Sequence, residues 1–270
     1  MFKSLNCFLR TENANTYYFH HIPNTAGTTL NAALREVFAP REICPPFLWS
    51  QLLQYNNKKL KQFRLFRGHF YGALEPFLGF PVRSFVFLRD PKERALSHYG
   101  HVMRASGHYL HSKAHNLRTF EAFLQDPEAR ETVRNFQSKC LAATFDPKAL
   151  ATRLTEEELV SLKLEQQIET SASALTSEQL LHSAKVALGR FACICITEHF
   201  SQSLTLLDQT FGWHLNKYIK PENENPQKKS SSDLSSKETD LLYELNTVDM
   251  QLYHEAESIF RTNVKSVRSG

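Results

Sequence analysis

Residues Tyr17–Leu30 read YYFHHIPNTAGTTL. An aromatic, β-prone run, Tyr17–Ile22, drops into Pro-Asn-Thr-Ala-Gly-Thr-Thr, and Leu30, Leu34 and Val37 then recur at helical spacing within Thr28–Phe38. Strand, glycine-bearing loop and helix in this order are compatible with an anion site. Gly27 lets the backbone turn and approach an anion closely, and a helix N-terminus favours negative charge. The amides of Gly27, Thr28 and Thr29 open the expected helix, and the Thr25, Thr28 and Thr29 hydroxyls add donors. This is not a Walker A loop, which places lysine after its last glycine, where Thr28 stands. Thr and Gly also begin many helices as caps. By itself, then, the loop leaves both an anion site and a plain capped turn open.

A second strand narrows the choice. In RSFVFLRDP, the apolar run Ser84–Leu88 ends at Arg89-Asp90-Pro91, and helical periodicity resumes over Lys92–Met103. Asp90 as N-cap and Pro91 at the first helical position explain the helix start. They do not explain Arg89, whose guanidinium can grip a phosphate through two hydrogen bonds. Ser97 lies a little over two helical turns further on, where its hydroxyl can reach the same anion.

A third buried strand is expected in RFACICITEHF, followed by a helix in FSQSLTLLDQTFG that Gly212 caps. LWSQLLQY reads as one helix, and 104–118 as an irregular, histidine-rich excursion. Helical patterns fill 119–142 and 155–187. KPENENPQKKSSSDLSS has the composition of an exposed loop, and an amphipathic helix from about Ser236 to Phe260 closes the chain. Strands alternating with helices predict one α/β domain over 1–270, around a mainly parallel sheet with ligands at the carboxyl ends of its strands. Both loops of interest fall there.

Composition sets bounds. The 270 residues are 41% hydrophobic and 22% charged, with a net charge of +4, which suits an anionic ligand without demanding nucleic acid. The N-terminal stretch is too short and broken for a signal-peptide core or a membrane span, and no later run reaches spanning length. A soluble, cytoplasmic protein is expected. Five scattered cysteines (Cys7, Cys44, Cys140, Cys193, Cys195) make no disulfide framework, and Cys193 and Cys195 should face one side of a strand as buried thiols. His98, His101, His108, His111 and His115 match no metal-ligand spacing. With Arg104 and Lys113 they suit a solvated segment, or one facing a polar or acidic acceptor such as a glycan.

FHHIPNTAGTT resembles the 5'-phosphosulfate loop of sulfotransferases that use 3'-phosphoadenosine 5'-phosphosulfate (PAPS), and FLRDPKERALSHY resembles their 3'-phosphate motif. The likeness is above all to carbohydrate sulfotransferases of the heparan sulfate 2-O and 6-O type and their soluble bacterial relatives. FRGHF and NFQSKCLA are further echoes, and the resemblance spans about 17–262. It implies a three-layer, P-loop-like fold and metal-free sulfuryl transfer to an acceptor hydroxyl, releasing PAP. By the same resemblance, Thr25, Ala26, Gly27, Thr28 and Thr29 hold the phosphosulfate, and Arg89 and Ser97 the 3'-phosphate. His69 becomes the catalytic base, as a histidine's near-neutral pKa suits. Lys228 and Lys229 are implied near the cosubstrate, and Gln137 on the adenosine side of the pocket. The departure is Asn24, where the family has a lysine that stabilises the leaving phosphate. A PAP-binding relative without turnover, or a P-loop-type kinase, are the alternatives. The missing Walker lysine argues against the kinase.

Overall fold

The computed structural model describes residues 15–143, 145–155, 157–158, 172–218 and 231–268. Four strands form its sheet: β1 (Tyr17–His20), β2 (Leu65–Gly68), β3 (Arg83–Leu88) and β4 (Cys193–Ile196). They lie in the order β2-β1-β3-β4, and every neighbouring pair is parallel. β1, β2 and β4 are buried at every position, as expected of a parallel sheet covered on both faces. This is why β1 and β4 read as continuous apolar runs rather than alternating ones.

The chain leaves β1 through helix α1 (Gly27–Val37) and reaches β2 on one side. It then passes to β3 on the other side of β1. The carboxyl ends of β1 and β3 therefore flank the switch point where the winding direction reverses, the place where open α/β sheets bind ligands. From β3 the chain enters α2 (Pro91–Arg104); α3 (Phe136–Ala142) and α4 (Ser177–Leu188) precede β4, and α5 (Phe200–Phe211) follows it. The core beneath the site is largely aromatic: Phe19 stacks on Phe85 with centroids 5.2 Å apart. A second apolar cluster, including Leu96, Phe123, Val133 and Leu242, anchors α2.

Several expectations change. β2 was not anticipated, because Arg67 and Gly68 interrupt its apolar run, yet Arg67 is only 6% exposed. The helix expected over 236–260 is two, α6 (Ser236–Leu245) and α7 (Thr247–Arg268). Asn246 breaks it: the buried carboxamide donates to the Leu242 carbonyl (3.1 Å) and accepts from the Asn135 amide (3.2 Å). LWSQLLQY holds only the short helix Trp49–Leu52, and the histidine-rich excursion contains one at His111–Leu117. The pattern over 119–142 splits at Asp126-Pro127, where extended Asp126 accepts from the Glu128 and Ala129 amides. Gly212 does cap α5, at φ 74°, its amide donating to the Asp208 carbonyl (2.7 Å). Cys193 and Cys195 are buried free thiols 3.6 Å apart. Cys7, Lys228, Lys229 and the helical pattern over 159–171 lie outside the described residues.

Candidate functional site

The loop between β1 and α1 turns on two left-handed residues, Asn24 (φ 69°) and Ala26 (φ 62°). Asparagine takes this conformation readily, whereas alanine pays about 1–2 kcal/mol for it. Left-handed residues in such a turn can bring neighbouring amides to one side, an arrangement that suits an anion. The N-cap residue of α1 is Ala26, which has no side chain able to cap the helix. Gly27 does not make the turn, contrary to its sequence reading: a Cβ there would lie 1.8 Å from His21 Nε2, so any side chain would have to displace the imidazole packed against it. Thr25 likewise departs from its expected role. Its hydroxyl donates to the Ile22 carbonyl (2.8 Å) and so shapes the loop. Thr28 is exposed and Thr29 half-buried at the helix start.

Arg89 meets this loop from the end of β3. Its Nη1 donates to the Asn24 carbonyl (3.1 Å), and the residue is 7% exposed. Glu93 at 3.6 Å and Glu198 at 3.7 Å flank the guanidinium, both beyond good hydrogen-bond length, so a closer anion can exchange with them. Burial lowers the Arg89 pKa, and Glu198, Glu93 and Asp90 oppose that shift. Burial also raises the Glu198 pKa, although Tyr253 donates to its carboxyl (3.0 Å). Gln137 clamps the Arg89 backbone, accepting from its amide (2.9 Å) and donating to its carbonyl (2.8 Å). Gln137 is held in turn by Asp249 of α7, which accepts from the Gln137 amide (3.0 Å) and the Ser138 amide (2.7 Å) at the start of α3. Asp90 caps α2, accepting from the Lys92 and Glu93 amides. Ser97, half-buried, lies one residue before His98 on the same helix.

His69 approaches from the end of β2. Its Nδ1 lies 2.9 Å from the His21 carbonyl, which can only accept, so Nδ1 carries the proton and a neutral ring presents Nε2 as its basic nitrogen. The His69 ring stacks on His21 at 4.8 Å, and His21 packs on Gly27; this chain of contacts links the imidazole to the start of α1. Gly68 makes the approach possible, since a Cβ there would lie 2.5 Å from the Phe47 carbonyl oxygen. That same carbonyl accepts the His69 amide (2.8 Å). His20 and His21 stay neutral beside it. Burial, then the repulsion a protonated His69 would exert, lowers His20 to about 3 and holds His21 well below the usual imidazole range.

The structure thus brings the 24–29 loop, Arg89, Gln137 and His69 to the carboxyl end of the sheet. It adds Glu93, Glu198, Asp249 and His21, which the sequence reading gave no role, and His98, which that reading put in a solvated or acceptor-facing segment but which is buried on α2. Their signals are weak, because each works through a contact remote in sequence: Asp249 lies 112 positions from Gln137. Among the described residues no group of three or more His, Cys, Asp or Glu is placed to hold a metal, and no helix is long and apolar enough to cross a membrane. The chain matches no model of a known protein family and no curated protein.

Proposed function

We propose that the chain is a PAPS-dependent sulfotransferase of three-layer, P-loop-like fold that acts on a hydroxyl acceptor, a carbohydrate by the resemblance of its motifs. The observation that carries this reading is the hydrogen bond from Arg89 to the Asn24 carbonyl. It joins the two motifs that resemble the phosphosulfate and 3'-phosphate sites, at the switch point of a parallel sheet.

The left-handed turns and the uncapped start of α1 receive the 5'-phosphosulfate, and Arg89 with Ser97 the 3'-phosphate. His69 Nε2 takes the proton of the acceptor hydroxyl as its oxygen bonds to sulfur. The bond from sulfur to the phosphate oxygen breaks, and PAP leaves with the negative charge, stabilised by the α1 amides. Positioning and fixed dipoles supply most of the catalysis, as in phosphoryl transfer.

Asn24 supports a second reading, a protein that binds PAP without turning PAPS over, because it brings no charge to the leaving group. Thermal-shift titration with PAP and ATP comes first. Stabilisation by PAP and not ATP is expected of both readings, and the reverse refutes both. Labelled-sulfate transfer from PAPS to a panel of glycans and small alcohols then separates them: transfer supports the enzyme, and its absence despite PAP binding supports the binder.

A further inference from the structure

The Asn24 side chain does not stand alone. Its Nδ2 lies 3.4 Å from His98 Nδ1, and His98 Nε2 lies 2.8 Å from Thr132 Oγ1. That hydroxyl lies 2.6 Å from the Ala129 carbonyl, a pure acceptor, so the single hydroxyl proton goes there. Thr132 Oγ1 must then accept from His98, which places the imidazole proton on Nε2 and leaves Nδ1 bare. A bare Nδ1 can only accept, so the Asn24 amide end faces it and the carboxamide has one direction. Every proton in the chain follows from the Ala129 carbonyl.

The direction matters because the two ends of a carboxamide have the same shape and opposite polarity. With NH2 turned toward His98, its second N–H remains available to an anion in the loop. Turned the other way, the group brings a carbonyl oxygen toward negative charge. We propose that His98 is a positioning residue of this anion site: it fixes the Asn24 carboxamide so that a neutral N–H donor serves at the position where the resemblance implies lysine. Only the identity of the anion rests on the function proposed above. Burial of His98, then Arg94, His108 and His101, keeps the imidazole neutral, and Phe123 packs on its ring. Neutrality is what the acceptor role at Nδ1 needs.

A double-mutant cycle tests this, with PAP affinity read by calorimetry in the wild type, Asn24→Ala, His98→Phe and the double variant. A single hydrogen bond is worth about 0.5–1.5 kcal/mol, so His98→Phe should weaken PAP binding by about three- to tenfold when Asn24 is present. In the Asn24→Ala background the same change should cost less than about twofold, because a coupled pair is not additive. His98→Asn, whose side-chain oxygen can accept from Asn24, should recover most of the loss. Equal losses in both backgrounds would show a structural histidine and overturn the proposal. Should His98→Phe not fold, a long-range proton–nitrogen NMR spectrum of the wild type decides: an unprotonated Nδ1 is expected, and a proton on it overturns the assignment. Failure of the wild type to bind PAP refutes the donor proposed above instead. The cycle is then run with inorganic pyrophosphate, and no binding of that anion overturns the role of His98 as well.

Discussion

Replacing Asn24 by lysine should raise sulfuryl transfer about tenfold, and the structure sets that figure by weighing three terms. The gain is the charge: one donor aimed at a developing oxyanion contributes about 3–4 kcal/mol to the barrier. The first cost is conformational. Asn24 sits at φ 69°, where a residue with an ordinary side chain loses about 1 kcal/mol relative to asparagine, and strain here depletes the binding-competent loop. The second is the bond to His98 at 3.4 Å, about 1 kcal/mol where the ammonium does not remake it. The net is about 1–2 kcal/mol, and 1.4 kcal/mol is tenfold in rate. The assay is labelled-sulfate transfer at PAPS well below its KM, where the depleted loop population still counts, with a melting curve of each protein beside it. The variant should melt a few degrees lower, as a loss of about 1–2 kcal/mol requires for a chain of this size, and still turn over faster. An unchanged or slower rate in a folded variant would refute the account of the loop.

His69→Ala should lower transfer by about 10²–10⁴-fold, the usual contribution of a general base, while PAP affinity stays within about twofold; parallel loss of both would assign His69 to binding. Arg89→Met should weaken PAP binding about 10–100-fold, since a hydrogen bond to a charged group is worth about 1.5–3 kcal/mol, and an affinity within about threefold of wild type would confine Arg89 to its contacts with Asn24, Glu93 and Glu198. Acid should unfold the protein early. His20 falls from 6.5 to about 3 in the folded state, so across that window the unfolded chain binds a proton that the folded chain refuses. Stability is therefore present above about pH 6.5 and drops on acidification by about 1.4 kcal/mol per pH unit from His20. His21 and His98 are shifted in the same direction and steepen the fall. Urea midpoints at pH 7.5, 6.5 and 5.5 check this; a flat series would mean that these imidazoles are charged in the fold.

The sequence reveals what burial enforces locally and conceals what distant groups enforce on one another. β1, β3 and β4 are legible because a strand covered on both faces needs an unbroken apolar run. β2 is hidden because Arg67 lies inside it, its guanidinium donating to Asn31 (3.2 Å) and lying 4.8 Å from the Phe47 ring centre. The break at Asn246 is hidden for a related reason: the helical period of Leu242, Leu245 and Leu252 continues across it, while the interruption comes from Asn135, 111 positions away. In the site, Arg89 is legible because capping accounts for its neighbours Asp90 and Pro91 and not for it. The Gln137 clamp on its backbone is not, since Gln137 lies on another helix, 48 positions on.

Asn24 shows how the two kinds of information combine. In sequence it is the asparagine that stands where the resemblance implies a lysine. In the fold it is a left-handed residue whose carbonyl receives Arg89 and whose amide is held by His98. A lysine acts at a distance and needs little orientation, whereas a carboxamide acts only along its N–H and must be aimed. A loop that gives up the lysine can keep affinity for an anion only by supplying direction elsewhere. Here that direction comes from the turns at Asn24 and Ala26, the uncapped start of α1 and the imidazole at 98, with the site's positive charge set back at Arg89. Such an arrangement favours holding an anion over stabilising the extra charge that develops as a leaving group departs, because fixed neutral dipoles grow less in worth than a cation does as that charge accumulates. Binding should therefore survive the absence of lysine better than turnover does, and Asn24→Lys should act on the rate more than on PAP affinity.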